Sequence, residues 1–174
     1  TDTVSTPMDV VFVLDTSGSM KDSSKASDMV NAVNSSVKNI MNKNSDSRIG
    51  IVAFSSSSNI LLPLGKYGAN KDYLNLFENS ISETVAPVSG GKRHNSVMIS
   101  GGTNTQAGIK KGAEMLINVD STTATVKLSN GKTKTVTRTP LLILVTDGEP
   151  TYYYDNETAT GNVNGHGYAK DTDQ

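Results

Sequence analysis

Three apolar runs, rich in β-branched residues, occupy positions 8–14, 49–54 and 141–145 of the chain. Strands that are buried on both faces of a parallel sheet read as continuous apolar runs, so we predict a central strand at each of these positions. A shorter apolar run at residues 60–64 predicts a further strand. Because both faces of such a sheet are apolar, the fold needs helices on each side of it.

Helical spacing of apolar residues provides candidates for that cover. Residues 24–43 carry apolar side chains every three or four positions and a polar opposite face, which predicts a first helix. The same spacing predicts a second helix over about 71–81 and a third helix that begins after Thr105. The predicted buried faces are Ala26, Met29, Val30, Val33, Val37, Ile40 and Met41 in the first helix, Tyr73, Leu74, Phe77 and Ile81 in the second, and Ile109, Ala113, Leu116 and Ile117 in the third. Strands that alternate with helices predict an α/β fold with a mostly parallel central sheet and right-handed crossovers.

Three stretches fall outside this alternation. Residues 85–100 are rich in Pro, Gly and Ser, which predicts a long inserted loop. Residues 122–139 alternate β-formers around an Asn-Gly pair at 130–131, which predicts an inserted β-hairpin. Residues 151–174 show no periodicity and predict an irregular tail. The basic residues of these insertions are Lys92, Arg93 and His94 in the loop and Lys127, Lys132, Lys134 and Arg138 in the hairpin.

Length and composition narrow the class of protein. A chain of 174 residues is expected to form one domain over 1–174, and the absence of a start methionine and signal peptide favours a mature or trimmed fragment. The net charge of -1 gives no general attraction to nucleic acid or anionic lipid. The lack of cysteine excludes disulfides, thiolate metal ligands and a cysteine nucleophile. The apolar runs are far shorter than the roughly 20 residues of a membrane-spanning helix.

Two of the apolar runs deliver an aspartate at their carboxyl end, namely Asp15 and Asp147. In an open parallel sheet the carboxyl ends of the strands border one crevice, so we expect the two carboxylates to face each other there. Ser17 and Ser19 follow at a spacing of two, which in an extended loop points their side chains to the same side as that of Asp15. Thr103, just before the predicted third helix, adds another hydroxyl over the same crevice.

Such a set contains only oxygen donors and two formal negative charges. Mg²⁺ suits it best and Mn²⁺ accepts the same donors, whereas Ca²⁺ asks for more oxygens. Zinc is unfavourable because His94 and His166 lie in irregular segments without ligand spacing. A cation held mostly by neutral hydroxyls stays electrophilic and keeps a position open, which a carboxylate from another protein can fill.

Other interpretations of the same residues remain open. Asp15 and Asp147 can each be helix N-caps, Ser17 and Ser19 can be turn residues, and Thr103 can cap the third helix. The conjunction of all five favours a metal site. No glycine-rich string fits the phosphate-binding pattern G-x-x-x-x-G-K-[ST], which argues against nucleotide binding. Neither histidine lies in a motif with a nucleophile, so we expect no enzyme.

The string Asp15-Thr-Ser-Gly-Ser19, followed by Thr103 in Gly-Gly-Thr-Asn-Thr and by Asp147 in Thr-Asp-Gly, resembles the metal-ion-dependent adhesion site of von Willebrand factor A domains and integrin inserted domains. The resemblance covers about residues 8–150. It implies a Rossmann-like von Willebrand A fold in which Ser17, Ser19 and Thr103 coordinate the metal directly. Asp15 and Asp147 are then expected to act directly or through water.

The resemblance also implies a function. The family binds protein partners, often through a partner's Glu or Asp, and the two insertions look like those of von Willebrand A domains in pilus tip adhesins of Gram-positive bacteria. We therefore expect an extracellular adhesin of the bacterial cell wall or pilus that binds a host matrix or cell-surface protein. The alternatives are an intracellular subunit of a chelatase or ATPase-type assembly and a metal hydrolase. The family normally continues with a helix, a strand and a helix, and the expectation is that these lie outside this fragment or on another polypeptide.

Overall fold

The computed structural model is organised around a central strand, residues 8–15, that leads directly to the candidate site. The structure describes residues 5–68, 71–85 and 94–148. Its elements are, in chain order, β1 (Met8–Asp15), α1 (Lys25–Lys43), β2 (Arg48–Phe54), β3 (Ser58–Gly65), β4 (Leu74–Phe77), β5 (Ser80–Glu83), β6 (Ser96–Met98), α2 (Thr105–Ile117), β7 (Thr123–Lys127), β8 (Thr133–Thr137) and β9 (Thr139–Val145).

The main sheet has the strand order β3-β2-β1-β9. β1 pairs in parallel with β2 on one side and with β9 on the other, whereas β3 is antiparallel to β2. All four strands lie where the apolar runs predicted them. The predicted α/β class with a mostly parallel sheet is confirmed, and the carboxyl ends of β1 and β9 lie side by side.

Helices cover both faces of this sheet, as predicted. Alternate side chains of a strand point to opposite faces, and β1 follows this rule. Val10, Phe12 and Leu14 face the larger apolar cluster, which is packed under α1. Val11 and Val13 face a smaller cluster on the other side, which includes side chains of α2. The apolar stripe of α1 is buried as expected.

The predicted buried face of α2 was partly wrong, because Leu116 packs against the smaller cluster but both isoleucines are exposed. Ile109 and Ile117 are 41% and 76% exposed, and the helix instead buries Ala107, Gly108 and Gly112 against the sheet. The reason is the short distance between helix and sheet, since a Cβ built at Gly108 would lie 2.5 Å from Cδ1 of Phe54. The smallest side chains face the core because the backbone itself approaches the sheet.

The helix predicted over 71–81 was also wrong. Residues 74–77 and 80–83 form β4 and β5, an antiparallel pair in which Phe77 lies opposite Ser80. Glu78 turns the chain between them with φ +52. The apolar positions fit both patterns in part, because Tyr73, Leu74 and Ile81 of the predicted helix face are buried here as well, whereas Phe77 is 68% exposed.

A side chain of α1 stabilises the strand arrangement. The Oδ1 atom of Asn34 accepts the backbone N–H groups of Tyr73 and Leu74, each at 2.9 Å, and its Nδ2 donates to the Leu74 carbonyl at 3.0 Å. Asn34 is buried. These bonds satisfy three backbone polar groups at the start of β4.

The predicted loop at 85–100 was partly wrong, because its end contains β6, which pairs with β5. Residues 86–93, including Lys92 and Arg93, lie outside the described residues. The carboxylate of Glu83 holds the two flanks of that segment, since it accepts the N–H of Val85 at 2.9 Å and that of Asn95 at 3.1 Å. His94 Nδ1 lies 2.9 Å from the same carboxylate.

The predicted hairpin is confirmed as β7 and β8, which pair antiparallel. Arg138, counted among its basic residues, points inward and donates to the carbonyls of Asp46 and Thr123. The predicted irregular tail at 151–174 lies outside the described residues. Within the described part of the chain, no helix is long and apolar enough to cross a membrane.

Candidate metal centre

The site begins with a fully buried carboxylate at the end of β1. Asp15 is 0% exposed. Its Oδ1 accepts the backbone N–H of Ser17 at 2.9 Å, and its Oδ2 accepts the hydroxyl of Thr146 at 2.8 Å. Thr146 comes directly after β9, so Asp15 ties the carboxyl ends of two neighbouring strands together. The position of Thr146, between an apolar run and Asp147, is a signal that sequence reasoning missed.

The two serines of the motif lie close together but not in an extended loop. Ser17 is extended, whereas Gly18–Lys21 forms a short 3-10 helix whose Met20 side chain is buried in the core. The hydroxyls of Ser17 and Ser19 are 3.2 Å apart. The serines therefore meet through a tight turn that is anchored by Met20.

The loop that carries Thr103 is hydrogen-bonded onto this turn. Gly18 donates its N–H to the Gly101 carbonyl at 3.0 Å, and Ser100 donates to the Thr16 carbonyl at 2.9 Å. Gly101 has φ +88, a conformation that glycine adopts without strain. Thr103 is buried. Two separate segments of the chain are thus joined at the carboxyl edge of the sheet.

Asn104, and not Thr103, caps α2. The side chain of Asn104 accepts the N–H of Ala107 at 3.0 Å, and its own N–H donates to the Ser55 carbonyl at 2.7 Å. This arrangement contradicts the alternative in which Thr103 is the helix cap. Neither Asp15 nor Asp147 caps a helix in the described part of the chain, although Asp15 does make a turn bond to Ser17.

Asp147 completes the group of donors. Its Oδ1 accepts the Ser19 hydroxyl at 3.1 Å, and its Oδ2 accepts the Lys25 ammonium at 3.0 Å. Burial raises the pKa of Asp147, but the hydrogen bonds from Lys25 and Ser19 and the charge of Lys25 outweigh that effect, so the pKa lies below its ordinary value. The carboxylate is therefore ionised at neutral pH.

The structure brings the predicted residues to one place. Asp15, Ser17, Ser19 and Asp147 form one connected group of oxygen donors, and Thr103 is held in the adjoining loop. Sequence reasoning missed Lys25, whose contact with Asp147 spans 122 positions of the chain.

The donor set fits a hard divalent cation. All of its side chains offer oxygen, and they mix carboxylates with neutral hydroxyls, the ligands that Mg²⁺ and Mn²⁺ accept. A cationic side chain, Lys25, is already drawn to the cluster. Among the described residues, no three His, Cys, Asp or Glu side chains gather into a metal-binding group. A cation bound at this edge of the sheet thus depends on the serine and threonine hydroxyls.

A comparison of the sequence with known protein families identifies the family of this chain. The sequence profile of the von Willebrand factor type A domain matches residues 10–149. The chain belongs to the von Willebrand factor type A domain family. The resemblance inferred from the five donor residues is therefore confirmed at the level of the family. No curated protein sequence matches this von Willebrand A domain significantly.

Solved structures confirm the fold. This von Willebrand A domain resembles the vWF domain of the type V pili tip protein Mfa5 from Porphyromonas gingivalis, with a TM-score of 0.55 and 19% identity over 91% of this chain and 43% of that one. It also resembles the pilus adhesin SpaC from Lactobacillus rhamnosus GG in its open conformation, with a TM-score of 0.53 and 24% identity over 97% of this chain and 18% of that one. The chain thus spans less than half the length of these proteins.

Proposed function

We propose that this von Willebrand A domain is a divalent-cation-dependent adhesion module of the bacterial cell surface. In this proposal Ser17, Ser19 and Thr103 hold Mg²⁺ directly, and Asp15 and Asp147 hold it directly or through water. Mn²⁺ fits the same donors. The bound cation offers an electrophilic position that takes a carboxylate oxygen from a Glu or Asp of a protein ligand.

The observation that carries the proposal is the connected group of oxygen donors at the carboxyl ends of β1 and β9. Its carboxylates are ionised or hydrogen-bonded in place, and its turn is anchored by Met20 in the core. The residues of the chain thus position the donors and limit their motion before a ligand arrives, which lowers the entropic cost of binding. The expected partner is a host matrix or cell-surface protein with an exposed acidic residue.

The likeness to two pilus proteins supports a setting on the cell wall or pilus rather than in a chelatase or ATPase-type assembly. His94 lies 2.9 Å from the carboxylate of Glu83, outside the group of oxygen donors. We therefore propose a binding role without catalysis.

Calorimetric titration with Mg²⁺ and Mn²⁺ tests the metal site. Ser19→Ala is the preferred variant because the residue is exposed, whereas Asp15 is fully buried and its loss would also affect folding. Ser27→Ala is the matched control, since it removes an exposed hydroxyl that donates to the Ser24 carbonyl in α1. We expect wild type and Ser27→Ala to bind Mg²⁺ equally and Ser19→Ala to bind it at least about tenfold more weakly, the loss of one ligand.

Surface plasmon resonance tests the ligand. A panel of extracellular-matrix proteins is passed over the immobilised domain in Mg²⁺ and then in EDTA. Binding that requires Mg²⁺ and is lost in Ser19→Ala supports the proposal. The proposal is wrong if the wild-type domain takes up no divalent cation, or if partner binding is the same in Mg²⁺ and in EDTA.

A further inference from the structure

Lys25 is the first residue of α1 and contacts the candidate metal centre. Its ammonium donates to Oδ2 of Asp147 at 3.0 Å, while Oδ1 of the same carboxylate accepts the Ser19 hydroxyl. Both carboxylate oxygens are thus engaged. The Lys25 side chain is 41% exposed, so it can swing into solvent without disturbing the core.

The position of this lysine is not explained by its own helix. The amino end of a helix carries a partial positive charge, so a cation in the first turn is unfavourable there. The acidic groups around it supply the explanation. The hydrogen bond to Asp147 raises the pKa of Lys25 above its ordinary value, against desolvation, and the charges of Asp147, Asp22 and Asp15 add to that effect.

A divalent cation and this ammonium need the same carboxylate. Lys25 is bonded to Oδ2 of Asp147, whereas Oδ1 accepts the Ser19 hydroxyl, so a divalent cation among the oxygen donors lies close to the ammonium. The two positive charges repel each other at short range, and both oxygens of Asp147 are open to the cation only when Lys25 releases this carboxylate. The exposed side chain makes that release possible, because water can solvate the ammonium once it has moved.

We infer that Lys25 competes with the divalent cation for Asp147. Lys25 holds this carboxylate when no metal is bound, and it thereby sets the cation concentration at which the site fills. This inference rests on the proposed metal-dependent function. It assigns to Lys25 a role in metal affinity that is separate from that of the oxygen donors. Removal of the ammonium should then strengthen metal binding, whereas removal of a ligand weakens it.

The test compares Lys25→Met with Lys38→Met. Lys38 lies on the same helix, is 43% exposed, and makes a similar ion pair with Asp72 at 2.8 Å. Each variant is titrated with Mg²⁺ and with Mn²⁺ by calorimetry, and its fold is checked by circular dichroism. We expect Lys25→Met to bind both cations about tenfold more tightly than wild type and Lys38→Met to bind them as wild type does. Lys25→Arg keeps the charge and should stay near the wild-type affinity.

A second readout follows the lysine itself. Limited acetylation of the wild-type domain, read by mass spectrometry, should modify Lys25 slowly without metal and faster with Mg²⁺, whereas Lys38 should react at the same rate in both. The inference is overturned, while the metal site stands, if wild type binds Mg²⁺ and Lys25→Met binds it equally or more weakly. The same holds if Lys38→Met raises the Mg²⁺ affinity as much as Lys25→Met does. If no form of the domain binds a divalent cation, the proposed function fails and the inference fails with it.

Discussion

The close approach of α2 to the sheet predicts the effect of one added methyl group at Gly108. The Cβ atom of an alanine there would lie 2.5 Å and 2.7 Å from two ring atoms of Phe54 and 2.9 Å from Cγ1 of Val13. Favourable carbon contacts lie at about 3.5–4.0 Å. Both neighbours are fully buried, so neither can move into solvent.

The expected change in the free energy of unfolding is the sum of two opposing contributions. Overpacking of a buried site costs about 1–3 kcal/mol, and contacts this short belong to the upper part of that range. Alanine gains about 1 kcal/mol over glycine in a helix. We therefore expect Gly108→Ala to lower the free energy of unfolding by about 1–2 kcal/mol. It should also weaken Mg²⁺ binding, because Asn104 of the Thr103 loop is bonded to the Ser55 carbonyl, next to Phe54.

Urea unfolding followed by circular dichroism measures the stability, and calorimetric titration measures Mg²⁺ affinity. Ala113→Gly is the control in the same helix, and it should lose about 1 kcal/mol through helix propensity. If propensity alone decided the outcome, the two variants would change stability in opposite directions. A Gly108→Ala protein that is as stable as wild type would refute the argument that the glycine is required by close packing.

Two further predictions concern buried charge and backbone conformation. Asp9 accepts two hydrogen bonds of 2.7 Å from Arg48, and the guanidinium of Arg138 lies 3.9 Å from its carboxylate. Asp9→Asn leaves these two cations without their anionic partner, so it should lower the free energy of unfolding in urea by about 2–4 kcal/mol. An unchanged urea midpoint would contradict the role of this pair. Gly101→Ala should lower both the melting temperature and Mg²⁺ affinity, because φ is +88 and a serine hydroxyl lies 2.9 Å from the added methyl group. Gly18→Ala is the control, because the nearest atom to its added methyl group is the Gly101 carbonyl oxygen at 3.6 Å, and its free energy of unfolding should stay within about 0.5 kcal/mol of wild type. Equal destabilisation by both glycine variants would show that crowding and φ do not cause the effect at Gly101.

β1 and β2 could be predicted from the sequence because strands buried on both faces read as continuous apolar runs. The apolar run at 141–145 also forms a strand, but the predicted burial on both faces was wrong there, since β9 is an edge strand in which Leu141 is 40% exposed. The helix at 24–43 was predictable for a similar reason, since its single apolar stripe matches one buried face. The errors occurred where two patterns share the same residues. The positions of Tyr73, Leu74 and Ile81 suit a helix face and a pair of short strands equally well, and the choice depends on the distant Asn34.

The candidate site was predictable as far as its donors lie at the ends of predicted elements. Asp15 follows the buried strand β1 and Asp147 follows shortly after the half-buried edge strand β9, and the parallel pairing of these two strands brings the aspartates to the same edge of the sheet. Lys25 was not predictable, because its contact with Asp147 depends on how the start of α1 is placed against the end of β9. The buried face of α2 was missed for a related reason. The pattern of hydrophobic residues does not reveal a glycine that is buried because the helix backbone lies close to the sheet.

The central position of β1 has a mechanical consequence. β1 runs from Met8 to Asp15 and is paired along its length with β2 on one side and β9 on the other. A tensile force applied between the candidate site and the amino end of β1 acts along the strand axis, so the backbone bonds on both sides must shear together instead of opening one by one. Rupture under load is governed by the unfolding rate, and a strand held in this way gives a high barrier to it.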